Sequence, residues 1–355
     1  MLALGIALLL RGYHAPGAAS TALIACLLLT VSHAAFKATL FLGAGSILHG
    51  TGERNLDRLG GLVHEMPWTA AAFGIGSLGA AALPVTAGFV AEWTLLQALI
   101  HAARPEDRVV AVIVPLALAV IALTAGLALV TFVKAYGIAF LARPRSVGAL
   151  AAPESPTSMR IAQIVGAGAV VALGFVPGPL AEVLADAAGV GGARAIGFAG
   201  VELTGVNALL SPGALTALGA LVAVPALALV LTLARRHPAE RDALGWGCGA
   251  ARTSPRMQYT ATSYAEPLVR IFDDALQPTQ DVEITHVAES RYMAERVRYR
   301  QRVEDVVEAR LYRPVIAAAE AVATRARRIQ NGSIHRYLTF SFGALVIVLA
   351  VVAAT

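Results

Sequence analysis

The run STALIACLLLTVSHAAFKATLFLGAGSIL, Ser20–Leu48, decides how the rest of the chain is read. It is almost uninterrupted in its apolarity. At 1.5 Å of rise per residue, a helix of this length crosses a hydrocarbon core of about 30 Å with room to tilt. Near its middle stand His33 and Lys37, four residues apart and therefore on one helix face. Lys37 is roughly 5 Å from the midpoint of the run, too deep for its ammonium to snorkel comfortably to an interface. An ammonium at that depth costs about 2.5–3.5 kcal/mol on insertion scales, so it normally faces protein or water and has a partner. The pair is expected to form a buried, protonatable site.

The whole composition agrees with a bilayer as solvent. With 57% hydrophobic and 14% charged residues, and a mean hydropathy of +0.67, the 355-residue chain lies outside the range of soluble globular domains. The expected fold class is all-α, a polytopic membrane bundle. Charge is uneven: Arg235 to Arg336 holds seventeen of the 28 Lys and Arg and thirteen of the 23 Asp and Glu. Three regions are therefore expected: a membrane core over 1–234, a basic arm over 235–335 and a terminal transmembrane helix over 336–355.

Upstream of the central run, Met1 to Leu10 is apolar but makes only about 15 Å of helix, and no basic segment precedes it as in a signal peptide. It reads as the end of a spanning helix whose beginning is absent. Arg11 to Ala19 reads as a turn. Downstream, Met66 to Ala103 is apolar, yet Pro84 and Gly88 lie inside it. Proline removes a helical donor and glycine relaxes the backbone, so a helix interrupted within the membrane is expected there. Such a break is tolerated only where protein or a wet cavity satisfies the backbone. Glu92 follows it, near a helix N-terminus whose dipole favours a carboxylate.

Val109 to Leu141 is the next crossing, with Lys134 late in it. Ile161 to Leu184, containing Pro177 and Pro179, is another, and 188–213 is Gly-rich and read as loop. Leu215 to Ala234 and Tyr337 to Ala354 complete six spans and one partial one. Alternating them puts the loops around Arg54 and Arg58, around Arg143 and Arg145, and the basic arm on one side, cytoplasmic by the positive-inside rule. Within the arm, Val303, Val307, Leu311, Val315, Ala318, Val322, Ala326 and Ile329 follow helical spacing. An amphipathic helix over about 303–330, kinked at Pro314, should lie laterally before the last span, along the membrane or on its own domain.

Several chemistries are excluded. Cys26 and Cys248 are far apart and hold no cluster, and no ligand set suggests haem or zinc. No Gly-rich phosphate loop follows a strand. The arm's arginines stand beside many acids without aromatic platforms, so nucleic acid is not an expected partner. No catalytic residue, metal or cofactor is assigned. A desolvated lysine gives up its proton more readily and regains it as a carboxylate approaches, and an imidazole can accept at one nitrogen while donating at the other. Lys37, His33 and Glu92 therefore make chemical sense as a proton relay.

HAAFKATLFLGAG (33–45), followed by ALPVTAGFVAEW (82–93), resembles the antiporter-like membrane subunits shared by complex I, Mrp cation/proton antiporters and membrane-bound hydrogenases. FVKAYGIAFL (132–141), with WGCG (246–249) and PRMQYTATS (255–263), looks more narrowly like hydrogenase-4 component B and formate hydrogenlyase subunits. The resemblance covers nearly the whole chain but only the C-terminal part of the family's subunit. It implies a proton pathway of Lys37 on the central axis, His33 as relay, Glu92 as terminal group and Lys134 as a further member. It also implies a bacterial cytoplasmic membrane and partner subunits, both membrane-embedded and peripheral redox ones. Val85 and Thr86 depart from the family's usual residues after Leu83-Pro84, and the N-terminal repeat with its ion pair is lacking.

Plainer readings stand beside these. Lys37 could serve a structural ion pair, His33 an interhelical hydrogen bond and Glu92 a helix cap, while Lys134 is placed to snorkel. The expected function is a proton-translocating subunit of a membrane-bound hydrogenase or complex I-type oxidoreductase, doing no redox chemistry itself. The alternatives are an Mrp-type cation/proton antiporter subunit and a truncated, non-transporting scaffold.

Overall fold

A computed structural model describes residues 1–84, 86–102, 107–141, 143–197, 200–211, 254–287, 290–305, 307–327 and 332–354, with 215, 221, 225, 228 and 229. The expected crossing at 215–234 lies almost wholly outside them, as do Val85 and the Trp246–Gly249 motif with Cys248. The described chain forms two compact units, Met1–Tyr264 and Ala265–Thr355.

In the first unit, α1 (Leu2–Gly12) turns at Tyr13–Ala15 into α2 (Pro16–Thr51). Pro16 opens α2 because its fixed φ suits a first helical position where no N–H is needed. Gly52, left-handed at φ 68°, closes it. The helix is thus longer at both ends than the apolar run. Its midpoint falls between His33 and Ala34.

Two short helices, α3 (Leu62–Glu65) and α4 (Pro67–Ala80), lead to the break, and α5 (Ala87–Ala102) resumes beyond it. Next come α6 (Arg108–Tyr136), ending in a π-turn at Gly137–Leu141, then α7 (Val147–Leu150) and α8 (Thr157–Phe175). The single segment expected over Ile161–Leu184 is in fact two helices: α8 stops at Phe175, and Pro177 starts α9 (Pro177–Ala187). A proline can begin a helix there but cannot continue the preceding one. Among the described residues, four helices are long and apolar enough to cross a membrane: Pro16–Thr51, Arg108–Leu141, Thr157–Phe175 and Ile334–Ala354.

The segment read as loop after α9 carries a small antiparallel sheet, β1 (Arg194–Ile196), β2 (Gly200–Leu203) and β3 (Ala208–Leu210). Arg194 pairs with Glu202, and Val201 with Leu210. Val201 and Leu203 are buried while Glu202 between them is not, so alternation exists in β2 but is too short to read from sequence. The fold remains overwhelmingly helical.

At the end of the first unit α10 (Ala261–Ile271) begins. The second unit contains α11 (Asp273–Leu276) and the hairpin β4 (Thr279–Val287) and β5 (Ser290–Arg302), in which Glu283 faces Arg298. The lateral helix starts later than expected: 303–305 is not helical, a π-turn spans Glu308–Tyr312, and α12 covers Arg313–Arg327. The widened turn lies immediately before Pro314, whose ring and missing N–H disfavour an ordinary turn there. α13 (Ile334–Ala354) is the terminal apolar helix.

Candidate functional site

The break is built against α2. An added Cβ on Gly43 would meet Phe73 of α4, one on Gly76 would meet Thr39 and Leu40, and one on Gly79 would lie 3.2 Å from Phe36 Cβ. Further along, the Ser32 hydroxyl donates to the Ala87 carbonyl at 3.2 Å, and His101 shares a cavity wall with Ala15–Ala18. So α4 and α5 together run antiparallel along α2, and the gap between them stands opposite Ser32–Phe36. That is the level of His33 and Lys37, at the middle of α2.

The turn itself is a Schellman motif. The Leu83 N–H reaches back to the Leu78 carbonyl at 3.1 Å and the Ala82 N–H to Gly79 at 3.2 Å. Ala82 takes the left-handed position, φ 50°, that glycine usually fills. Pro84 follows where no helical donor is required, and Thr86 caps the turn by donating to the Leu83 carbonyl at 2.7 Å. Gly88 is required for a second reason: any Cβ there would run into the Gly79 carbonyl oxygen. Pro84 and Gly88 are thus where the break was expected, but the residue that turns the chain is Ala82, which nothing in its type advertises. We expect Ala82→Gly to raise the stability of the purified protein by about 1 kcal/mol, since an L-residue pays about that in the left-handed region. Thermal unfolding in detergent checks the sign.

His33 and Lys37 share a face of α2, as their spacing requires, and both are exposed on the outside of this unit rather than within it. The His33 ring meets Phe36 edge-on at 5.2 Å, and the Lys37 ammonium lies 5.6 Å from the Phe41 ring centroid. Among the described residues no carboxylate forms a salt bridge with Lys37. Glu92 is half-buried on α5, which packs on α2. It is the sixth residue of α5, past the first turn, so the helix dipole reaches it weakly. Lys134 is half-buried in the last turn of α6, beside the π-turn. The structure therefore brings His33 and Lys37 to the break and Glu92 to the helix after it.

Two polar devices were not foreseen. The Glu154 carboxylate caps α4 from another segment, accepting from Trp68 N at 2.8 Å and from the Thr69 hydroxyl at 2.8 Å. At the same end, Arg145 donates to the carbonyls of Leu59 at 2.7 Å and Tyr259 at 2.6 Å, and more weakly to Ile138 of the π-turn at 3.5 Å. Burial lowers its pKa and Asp57 opposes this, but a guanidinium stays charged. Asp57 in turn accepts from Ala261 N at 2.6 Å and the Thr262 hydroxyl at 2.8 Å, and Gln258 pairs with the Arg143 backbone at 3.0 Å in both directions. The loops around Arg58 and Arg145 thus meet the 255–263 motif at one end of the unit, and that motif is an anchor. Charge-assisted bonds contribute about 1.5–3 kcal/mol each. Arg145→Ala should make the segment around Tyr259 cleavable about tenfold faster in limited proteolysis.

Residues 6–121 match the family described as NADH:quinone oxidoreductase/Mrp antiporter, transmembrane. An uncharacterised protein of Mycobacterium tuberculosis is 47% identical over 99% of this chain and 56% of its own length. Hydrogenase-4 component B of Escherichia coli is 30% identical over 99% of this chain and 53% of its own. The chain spans about half the length of these curated relatives. A chain in the structure of the membrane-bound sulfane sulfur reductase, an archaeal respiratory membrane complex, superposes with a TM-score of 0.62 at 20% identity, covering 94% of this chain and 48% of that one. That likeness concerns the fold.

Proposed function

We propose, for a chain related at family level to the antiporter-like membrane subunits of NADH:quinone oxidoreductase, Mrp antiporters and hydrogenase-4, that it translocates protons within a redox-driven assembly of hydrogenase or complex I type. The observation that carries this reading is the coincidence of the His33–Lys37 face with the helix break at mid-height of α2. A break frees backbone groups and admits water where a continuous helix would not. An ammonium at that depth then has a medium through which to exchange its proton, and Glu92 on the resumed helix is a counter-charge whose approach favours the protonated lysine. Withdrawal of that charge favours release. His33, one turn from Lys37, relays the proton, and Lys134 carries it further along α6.

The exposed face bearing His33 and Lys37 requires protein or water against it, and we assign that place to a partner membrane subunit. The division into a core over 1–234, an arm over 235–335 and a terminal helix belongs to this reading, as does a cytoplasmic position for the anchored loops and arm. Purification of the native assembly in gentle detergent, with mass spectrometry of every chain, tests it. Peripheral redox subunits co-purifying with this chain are the expected result. An assembly that translocates cations but contains no redox subunit would transfer the assignment to gradient-driven exchange.

A further inference from the structure

Between α1, the first turns of α2 and the turn that follows α9 lies a cavity of about 500 Å³, open to the outside of the unit. Leu4, Leu8 and Arg11 line it from one face of α1, Ser20 and Leu23 from α2, and Val190 from the turn. The turn is a fixed wall. It closes α9 in a Schellman motif, with Gly189 at φ 63°, the Gly189 N–H on the Asp186 carbonyl at 3.0 Å and the Val190 N–H on Ala185 at 3.0 Å. Gly192, at φ 122°, lets it approach α2, since a Cβ there would stand 3.3 Å from that of Ser20. A cavity walled by backbone in this way gives up little freedom when it is filled.

Its chemistry is sorted by depth. Ser20 lies about 20 Å from the midpoint of α2 and Leu23 about 16 Å, while hydrocarbon extends about 15 Å to either side of a bilayer's midplane. The cavity therefore spans the headgroup layer and ends where hydrocarbon begins. Arg11 belongs to the outer end, in the last turn of α1, and Leu4 is about 10 Å deeper along the same helix. The Arg11 guanidinium is exposed and, among the described residues, forms no salt bridge. Among the described residues that line the cavity none is a carboxylate or an aromatic, so nothing there offers an ammonium headgroup a counter-charge or a ring face.

We propose that this cavity is a binding site for an anionic phospholipid, with the lipid phosphate on Arg11 and the acyl chains leaving past Leu8, Leu4 and Leu23 into the bilayer. A guanidinium pairs with phosphate oxygens in a fork that no apolar occupant would use. With one cation and no acid, the site selects a lipid of net negative charge over a zwitterionic one. The bound lipid touches α1, α2 and the turn after α9 at once, and so fastens three segments of the unit together. The site depends on the bilayer alone and not on the translocation reading above.

The test titrates the purified full-length protein in detergent with phosphatidylglycerol, with phosphatidylcholine of the same chains, and with inorganic phosphate. Native mass spectrometry reads the bound lipid and thermal unfolding reads its effect. Phosphatidylglycerol should be retained and should raise the melting temperature, and phosphatidylcholine should bind about tenfold more weakly. Arg11→Gln should weaken phosphatidylglycerol about tenfold and cancel its stabilisation, whereas Arg11→Lys should keep most of both. Ser20→Leu, which fills the cavity and leaves Arg11 in place, should also expel the lipid. Equal retention of the two lipids, or undiminished retention by Arg11→Gln or Ser20→Leu, would overturn the proposal. Displacement of the lipid by inorganic phosphate would overturn it too, in favour of a free-anion site, as would density for another protein segment in the cavity of the assembled complex. Should neither variant fold, the wild type's preference between the two lipids decides.

Discussion

Lys37→Ala is expected to abolish proton movement coupled to the driving reaction, a fall of about a hundredfold or more, which is the scale for removing a group that carries the transferred proton. Folding of the unit should survive, because Lys37 is on its outer face and its described contact is the Phe41 ring, worth about 0.5–1 kcal/mol at an exposed site; the rate is read on complexes shown to be assembled. The sharper variant is Lys37→Arg. A guanidinium keeps the positive charge, so any role in holding a partner's carboxylate persists, but it does not release its proton in a protein. Proton carriage therefore predicts that Arg is as inactive as Ala. A merely electrostatic role predicts that Arg is active and Ala is not. Vesicles containing the assembled complex, with a pH-sensitive dye inside, distinguish the two, and an active Lys37→Arg complex would sink the proposed relay.

Gly88→Ala is expected to destabilise the membrane unit by about 1–3 kcal/mol, the range for overpacking, and to inactivate it at the same time. The added methyl meets a carbonyl oxygen and, at 3.3 Å, the Ala82 Cα, both backbone atoms. No side chain can swing aside to accommodate it, so the start of α5 must move away from the end of α4. That movement stretches the Ser32–Ala87 bond, which ties the break to α2 beside His33. Stability and coupled proton movement should thus fall together in Gly88→Ala, whereas Ala82→Gly, six residues earlier in the same turn, should gain stability. A melting temperature unchanged by Gly88→Ala would mean that the two half-helices do not approach as closely as described.

The parts of this molecule that were legible in the sequence are those that a bilayer dictates. A long apolar run with an ammonium at its centre, and a proline and glycine inside another, announce a spanning helix and a broken one because hydrocarbon allows few alternatives. The 188–213 stretch was not legible: its strands are three and four residues long, too short for an alternating pattern to show. The left-handed Ala82, the Arg145 anchor and the trans-helix cap from Glu154 were hidden for another reason. Each is a residue of ordinary type whose role comes from what folding brings beside it, across more than eighty positions in the last two cases.

The sequence by itself therefore determined that the chain is a helical membrane bundle and that one of its apolar segments is interrupted. Only the tertiary structure decided which side of each helix is covered. In a soluble helix the polar face points outward and the pattern reveals direction, but α2 is apolar almost all round, and its periodicity carries no such information. Close approach decides instead. Small residues let α4 and α8 settle against Phe36, Thr39 and Ser46 while Ser32 ties down the start of α5, and that choice leaves His33 and Lys37 facing outward at the level of the break.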